Sequence, residues 1–386
     1  MKGLNFAVFI SVIIILLTAI NFYIVKRALS VFPDNPLMKK IFVAAIFFSA
    51  SAFILGRLLE RYSVTLFSSS LVWIGSFWFG IMFYLFLSVL IIDLLRAVNY
   101  FVPFFPEAFY ENIKQTKKAL FLIVATVVFT VSIFGFLNTR FPVTRKMNLV
   151  INKAANNLKT LNIVTVSDIH LGTIFGKSYL EKVVRKINAL KPDIILIPGD
   201  IIDEDIAPVI SGNVGETLKM LNAKYGVYAV TGNHEFIGGV EAAKKYLAEH
   251  NVHLLNDEFI LVDSSFYVVG REDVSKKMFT NVNRKQLDRI MADVDKSFPI
   301  ILLDHQPFKL EQAVKNGVDL QLSGHTHHGQ LWPANFITEM VYEVSWGYKK
   351  KEDTHIYVSC GVGGWGPPMR TVSRPEIVQI KLNFER

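Results

Sequence analysis

Five short strings in the second half of the chain hold the residue types that do chemistry. They are Ser167-Asp168-Ile169-His170, Gly199-Asp200-Ile201-Ile202-Asp203, Gly232-Asn233-His234-Glu235, Asp304-His305 and Gly324-His325-Thr326-His327. Each alone is ordinary, since an aspartate after a strand commonly caps a turn. Together they bring five of the nine histidines, with Asp168, Asp200 and Asn233, to successive turns, each just after an apolar run that reads as a strand. Loops at such places carry function on a rigid scaffold. The donors are oxygen and imidazole nitrogen with no thiolate, a set that suits Mn, Fe, Zn or Mg better than a cysteine-bound structural zinc. The single cysteine, Cys360, excludes both a cystine framework and a multi-cysteine zinc site.

In order, the strings read D-x-H, G-D-x-x-D, G-N-H-[D/E], H and G-H-x-H, and from about Leu161 to the C-terminus the chain resembles the binuclear, calcineurin-like metallophosphoesterase superfamily. Ser323 to Pro333 (SGHTHHGQLWP) and Arg374-Pro375-Glu376-Ile377-Val378 look most like its membrane-associated, YkuE-like branch. The resemblance implies an αββα domain, two mixed sheets sandwiched by helices, holding two divalent metal ions (Mn, Fe, Zn or Mg). By position, Asp168, His170, Asp200 and His327 would hold one metal, and Asp200, Asn233, His305 and His325 the other. A shared carboxylate and a shared hydroxide reduce the repulsion of two cations ~3.5–4 Å apart. His234 would hydrogen-bond the phosphoryl oxygen or leaving group, and Asp203 would keep its ring oriented. His328 and Arg370 are candidates for substrate contact, with Trp365 beside them. The implied activity is hydrolysis of a phosphodiester or pyrophosphate bond. Its alternatives are a lipid-linked nucleotide pyrophosphatase, such as a UDP-2,3-diacylglucosamine hydrolase of the lipid A type, and a catalytically silent phosphate-binding scaffold. The chain departs from the pattern at His328, where relatives often carry Gly. It also departs at Glu204, where protein phosphatases have Arg-Gly, which argues against a phosphoprotein substrate.

The elements that must position these residues alternate. Strands are expected at Val150–Ile151 and Ile163–Val166 around an Asn156-Asn157 turn, then at Ile194–Ile197, Val227–Val230, Phe266–Val269, Ile300–Leu303, Leu320–Leu322, Ile356–Ser359 and Ile377–Leu382. Helical patterns fall at Ser178–Leu190, Glu216–Leu221, Val240–His250, Arg284–Met291 and Lys309–Val314. Such alternation gives layered sheets covered by helices, with the site at strand ends. Gly172 to Ser178 looks like a nucleotide-binding P-loop, but its glycines enclose three residues rather than four, so Ser178 is expected only to cap the following helix. The Gly- and Pro-rich run Gly361–Pro368 is expected to be a mobile turn at the pocket rim. His250, His253 and His355 match no ligand position.

The first 146 residues are of another kind. The chain has 386 residues, 51% of them hydrophobic and 19% charged, with a mean hydropathy of +0.35, and the apolar excess is concentrated in four runs: Leu4–Val25, Ile41–Gly56, Val64–Ile92 and Ala119–Asn138. Runs of this kind span bilayers, the second being short enough to need Lys39, Lys40 and Arg57 to snorkel. Residues 1–146 are therefore expected to be a transmembrane region and 147–386 the phosphoesterase domain. The first part carries 14 Lys and Arg against 5 Asp and Glu, while the remainder carries 27 against 28. The basic balance thus belongs to the membrane region, and no nucleic-acid partner is expected. Between the third and fourth runs, aromatics from Tyr100 to Tyr110 crowd around Pro103 and Pro106, as at a lipid headgroup region. Loops on one side of the four spans carry eight Lys and Arg against three on the other before the final span, or seven once Arg140, Arg145, Lys146 and Lys153 are counted, and the domain is expected on the external face of a multi-pass cell-membrane protein.

Overall fold

A computed structural model describes residues 2–32 and 34–385, with side chains from Ser11 onward. The chain divides into two compact units, the second beginning at Phe136 within the last long helix. The first unit is built on four helices long and apolar enough to cross a bilayer: α1 (Lys2–Leu29), α2 (Pro36–Glu60), α3 (Leu66–Phe101) and α4 (Ile113–Thr139). The start of the first expected run, Leu4–Ile10, has side chains outside the described residues. Helix α2 begins five residues ahead of its apolar run, because Asn35 accepts from Met38 N at 3.1 Å and Pro36 occupies the first turn. Its 25 residues remove the length deficit of the second span. Helix α3 starts at a capping box between Thr65 and Ser68 and runs 36 residues, roughly 54 Å at 1.5 Å per residue. It therefore absorbs Tyr100 and Phe101, and only residues 102–112 remain between α3 and α4, with one helical turn at Ala108–Glu111.

Among the described residues the second unit contains twelve strands: β1 (Val143–Ile151), β2 (Thr160–Thr165), β3 (Ile194–Pro198), β4 (Val227–Val230), β5 (His253–Leu254), β6 (Glu258–Val262), β7 (Phe266–Gly270), β8 (Ile300–Leu303), β9 (Leu320–Ser323), β10 (Gly347–Lys351), β11 (Thr354–Val358) and β12 (Glu376–Phe384). They form two six-stranded mixed sheets, β1-β12-β2-β3-β4-β5 and β10-β11-β9-β8-β7-β6. Strands β2, β3 and β4, and likewise β7, β8, β9 and β11, run parallel. Continuous apolar runs such as Ile194–Pro198 and Ile300–Leu303 are buried throughout, as strands covered on both faces must be. Leu161, Ile163, Ile194 and Leu196 of one sheet meet Phe266, Val268, Ile301 and Leu303 of the other in a single core. A second core under Leu287, Ile290 and Met291 covers the outer face of the second sheet. The domain is thus the expected αββα sandwich.

The expected Asn156-Asn157 turn lies between two strands, and β12 inserts between those strands, antiparallel to β2 and parallel to β1. Two local expectations fail. Strand β1 already starts at Val143 and pairs with β12 from Val143↔Glu376 onward, so the sheet begins four residues before the expected boundary at 147. The helix α5 (Lys177–Ala189) is capped by Gly176 without a side-chain bond, so Ser178 lies inside its first turn rather than at its cap.

Candidate metal centre

Each chemical string ends a parallel strand, and the backbone there is unusual. Asp168, His170, Asp200, His325 and His327 all have positive φ, between 46° and 72°. Left-handed backbone at a non-glycine residue costs on the order of 1 kcal/mol, and it persists where the surroundings over-determine it. Here they do. Asp168 N donates to Gly199 O at 3.2 Å, His170 N to Asp200 O at 3.1 Å and Leu171 N to Ile201 O at 2.8 Å, so the first two loops interlock. Asp168 Oδ1 accepts from His325 N at 2.9 Å and Asp200 Oδ1 from His234 N at 2.9 Å, tying in the other loops. Gly232 must be glycine, since a Cβ there would collide with the Asp200 carboxylate.

These turns aim side chains at two adjoining points. Ligand atoms of Asp168, His170 and His327 lie within 4.8 Å of one another, as do those of Asp200, His305 and His325. His170 Nε2 is 3.1 Å from His327 Nε2 and 3.8 Å from Asp200 Oδ2, which relates the first group to the second. Asn233 completes the second group, its Oδ1 lying 3.2 Å from His305 Nε2 and 2.8 Å from His325 Nδ1. The structure therefore brings together all seven residues expected as ligands.

The donor set fits divalent cations. His305 Nδ1 donates to Pro198 O at 2.7 Å, leaving Nε2 facing two oxygens, Asp200 Oδ2 and Asn233 Oδ1, each 3.2 Å away. Either a proton on Nε2 or a cation must balance that arrangement. Accordingly, burial lowers the His305 pKa, yet the Asp200 carboxylate raises it well above the ordinary value. Burial and the neighbouring His305 charge push His325 down to about 3. Burial, His170 and Arg370 hold His327 well below the ordinary histidine value, neutral as a ligand must be. Arg370 Nη2 lies 3.0 Å from His327 Nδ1. A guanidinium only donates, so Nδ1 accepts here and the His327 ring proton sits on Nε2, facing His170.

His234 stands beside the cluster with its Nδ1 3.1 Å from Asp203 Oδ1. Burial lowers its pKa, but Asp200, the Asp203 hydrogen bond and Glu204 outweigh burial and lift it to about 10. The two substrate-contact candidates lie elsewhere. Arg370 is fully buried on the far side of the His327 ring from His170, donating to Gly363 O, at 3.0 Å from Nε, and to Ser373 Oγ at 3.1 Å, which makes it a support and not a pocket wall. His328 turns to Ser345 Oγ at 2.6 Å and lies beside Trp346 with the rings tilted by 43°, in a cleft lined also by Glu339 and Tyr348. The Gly-rich run is no rim turn in its first half. Val362 N and Gly363 N donate to Ser167 O and Asp168 O, and Gly361–Gly364 are buried beneath the first string.

Two residues with structural consequences carry no role in the sequence reading. Glu235, fully buried, accepts from Gly232 N at 2.7 Å and from Ile201 and Ile202 N at 2.7 and 2.9 Å, so one carboxylate holds the loops of Asp200 and Asn233 together. The Gly-x-x-Glu spacing at a helix start, here α6 (Asn233–Gly238), is the available signal. Glu376 accepts from Tyr357 of β11 and from Ser359 and Cys360 just past it, while pairing with Arg145 of β1 at 2.5 Å. Nothing local announces those partners.

The model for calcineurin-like phosphoesterases matches residues 161–329. A Campylobacter jejuni protein named as an uncharacterized metallophosphoesterase is 29% identical over 99% of this chain and 100% of its own length. An Aquifex aeolicus metallophosphoesterase is 32% identical over 58% of this chain and 85% of its own. A Bos taurus transmembrane protein with metallophosphoesterase domain is 33% identical over 70% of this chain and 64% of its own. The chain spans 60% of the length of a Helicobacter pylori relative that it matches at 33% identity.

Proposed function

The chain belongs to the calcineurin-like metallophosphoesterases, and from that premise we propose that it is a membrane-anchored, metal-dependent hydrolase of a phosphodiester or pyrophosphate bond. The observation that supports this most is the convergence of the seven candidate side chains into two adjoining groups, with Asp200 in one and 3.8 Å from His170 of the other. Asp168, His170, Asp200 and His327 would hold one divalent ion and Asp200, Asn233, His305 and His325 the other. When bound, such a pair supplies Lewis acidity for a phosphoryl oxygen and a water acidified to act near neutral pH.

The chain's own residues do the rest. Asp203 accepts from His234 Nδ1, which leaves Nε2 as the atom that donates to the phosphoryl or leaving oxygen as charge grows there. The same aspartate fixes the ring's rotation. A complete His234–Asp203 pair supports an enzyme over a silent phosphate-binding scaffold. The excess of Lys and Arg, eight to three before the final span and eight to seven with the residues just after it, supports an external domain, to be tested by a C-terminal fusion that is fluorescent only in the cytoplasm.

The test is hydrolysis of bis(p-nitrophenyl) phosphate by the purified full chain, with chelation and re-addition of Mn, Fe, Zn or Mg. Turnover should vanish with chelator and return with metal. His234→Ala should keep its metal while kcat falls roughly 10²–10⁴-fold. Metal binding with no turnover of any phosphodiester, pyrophosphate or lipid-linked substrate would leave the scaffold.

A further inference from the structure

One helix of the phosphoesterase domain is built inside out. Helix α8 (Asn335–Val341) begins eight residues after His327. Its inner side is polar: Asn335 is buried, and the Thr338 hydroxyl donates to Asn335 O at 2.9 Å and lies 3.2 Å from Ser345 Oγ. Its outer side carries Phe336, Ile337, Met340 and Val341, which are 54%, 59%, 79% and 57% exposed. Positions i, i+1, i+4 and i+5 share one face of a helix. Trp332, 53% exposed, precedes them. A water-facing helix has the opposite arrangement, and a contiguous apolar crest on a folded domain marks an interaction surface.

We propose that α8 and Trp332 dip into the headgroup and upper acyl layer of a lipid bilayer. Three observations favour lipid as the occupant. The chain holds four helices apolar enough to cross a bilayer, and only residues 140–142 separate the last of them from β1, so the domain works beside a membrane surface. Seven residues are too few to span but enough to lie in the interface, where Trp and Phe are favoured. Of the adjoining acidic residues, Glu343 is neutralised by Lys349 and Lys351, both at 2.9 Å, and Glu339 is turned to His328 and Asn335, at 3.6 and 3.4 Å.

The crest is coupled to the site loop. Thr326 Oγ1 donates to Ser345 O at 2.5 Å and His328 Nδ1 meets Ser345 Oγ, so the chain on either side of His327 is fixed to the segment following α8. Insertion of α8 would set the depth of that loop. Resting on the proposed reading of the site, this points to a substrate whose phosphoester lies at headgroup depth, as in a phospholipid or a lipid-linked nucleotide.

The experiment uses the full chain in nanodiscs of anionic and zwitterionic phospholipid, with Met340→Cys carrying an environment-sensitive fluorophore. Cys360 is fully buried and its thiol is pushed up to about 12 by burial and Glu376, so it does not compete for the label. The fluorophore should emit at shorter wavelength and be quenched more strongly by a spin label near the headgroup than by one near the acyl terminus. A label at Lys245→Cys, on the exposed side of α7 (Val240–Glu249), should show neither effect. Water-like emission without quenching overturns the proposal. So does blue-shifted emission without quenching, which would put α8 against protein. Ile337→Cys repeats the measurement should the first variant fold poorly. Hydrolysis of bis(p-nitrophenyl) phosphate is read in the same samples: quenching without turnover counts against the enzyme reading and leaves insertion standing, whereas turnover without quenching does the reverse.

Discussion

The two units solve burial in opposite senses. In the αββα domain apolar side chains turn inward, and among the polar groups they enclose Glu376 is heavily bonded, by Tyr357, Trp346, Ser359, Cys360 and Arg145. In the helical unit Ile15, Phe22 and Phe67 face outward, at 67%, 62% and 68% exposure, while Asn21 and Ser76 turn inward. Its closest helix pair meets at glycines, since a Cβ on Gly75 of α3 would run into the Phe53 backbone of α2, as expected where packing and not water expulsion brings helices together. A buried polar group should therefore matter far more in the first setting than in the second, and most where two cations would depend on it.

The extreme case is Asp200. Asp200→Ala should lose its bound divalent metal and reduce hydrolysis to the uncatalysed background while the fold persists, read by metal analysis and circular dichroism on one sample. Undiminished metal content with full turnover would break the shared-carboxylate arrangement. Next comes Glu376→Leu, which strands buried donors on Tyr357 and Cys360. Unsatisfied buried donors cost 1–3 kcal/mol each, so a total of about 3 kcal/mol is expected. In a domain of this size each kcal/mol moves Tm by roughly 2–4 °C, and scanning fluorimetry should show the domain transition falling by that multiple.

Glu235→Gln is gentler and more local. Its carboxylate only accepts, from three backbone N–H groups. An amide would turn its NH2 toward one of them, loosening the loops that aim Asp200 and Asn233. Groups that orient metal ligands are worth about 10–100-fold in affinity or activity. The metal titration should shift by that factor with Tm nearly constant; an unchanged titration would mean the loops are held elsewhere.

What could be read in advance follows the range of the interactions. The seven residues that the structure brings together are legible because each lies in a short string at the end of an apolar run. Val227–Val230 and Ile300–Leu303 are legible to the residue because parallel strands buried on both faces leave continuous apolar runs. Strands β1 and β10 are hidden by their edge positions, where Thr144-Arg145-Lys146 and Lys349-Lys350-Lys351 carry no apolar alternation. The insertion of β12 beside β1 joins segments more than 200 residues apart. Glu235 and Glu376 are likewise defined by distant partners. The polarity of α8 is invisible because the same seven letters would suit a helix with its apolar side inward.

The smallest effect should come from Asn21→Leu, and the reason is the reference state. Asn21 Oδ1 accepts from Trp78 Nε1 at 3.0 Å, and its amide donates to Leu17 O at 2.8 Å and to Met82 Sδ at 3.2 Å, so it joins α1 to α3. In water-facing protein, deleting that acceptor would strand the indole N–H at the full cost of desolvation. In lipid, separated helices also find polar partners for such groups, and measured interhelical hydrogen bonds average only about 0.6 kcal/mol, with a maximum near 1.7. Leucine fills a similar volume and suits the apolar surroundings. Unfolding in mixed micelles titrated with a denaturing detergent should thus move by less than the Glu376→Leu variant moves the domain. A cost for Asn21→Leu equal to that of Glu376→Leu would mean that the helices unfold into water, and that the contrast between the two units is not one of solvent.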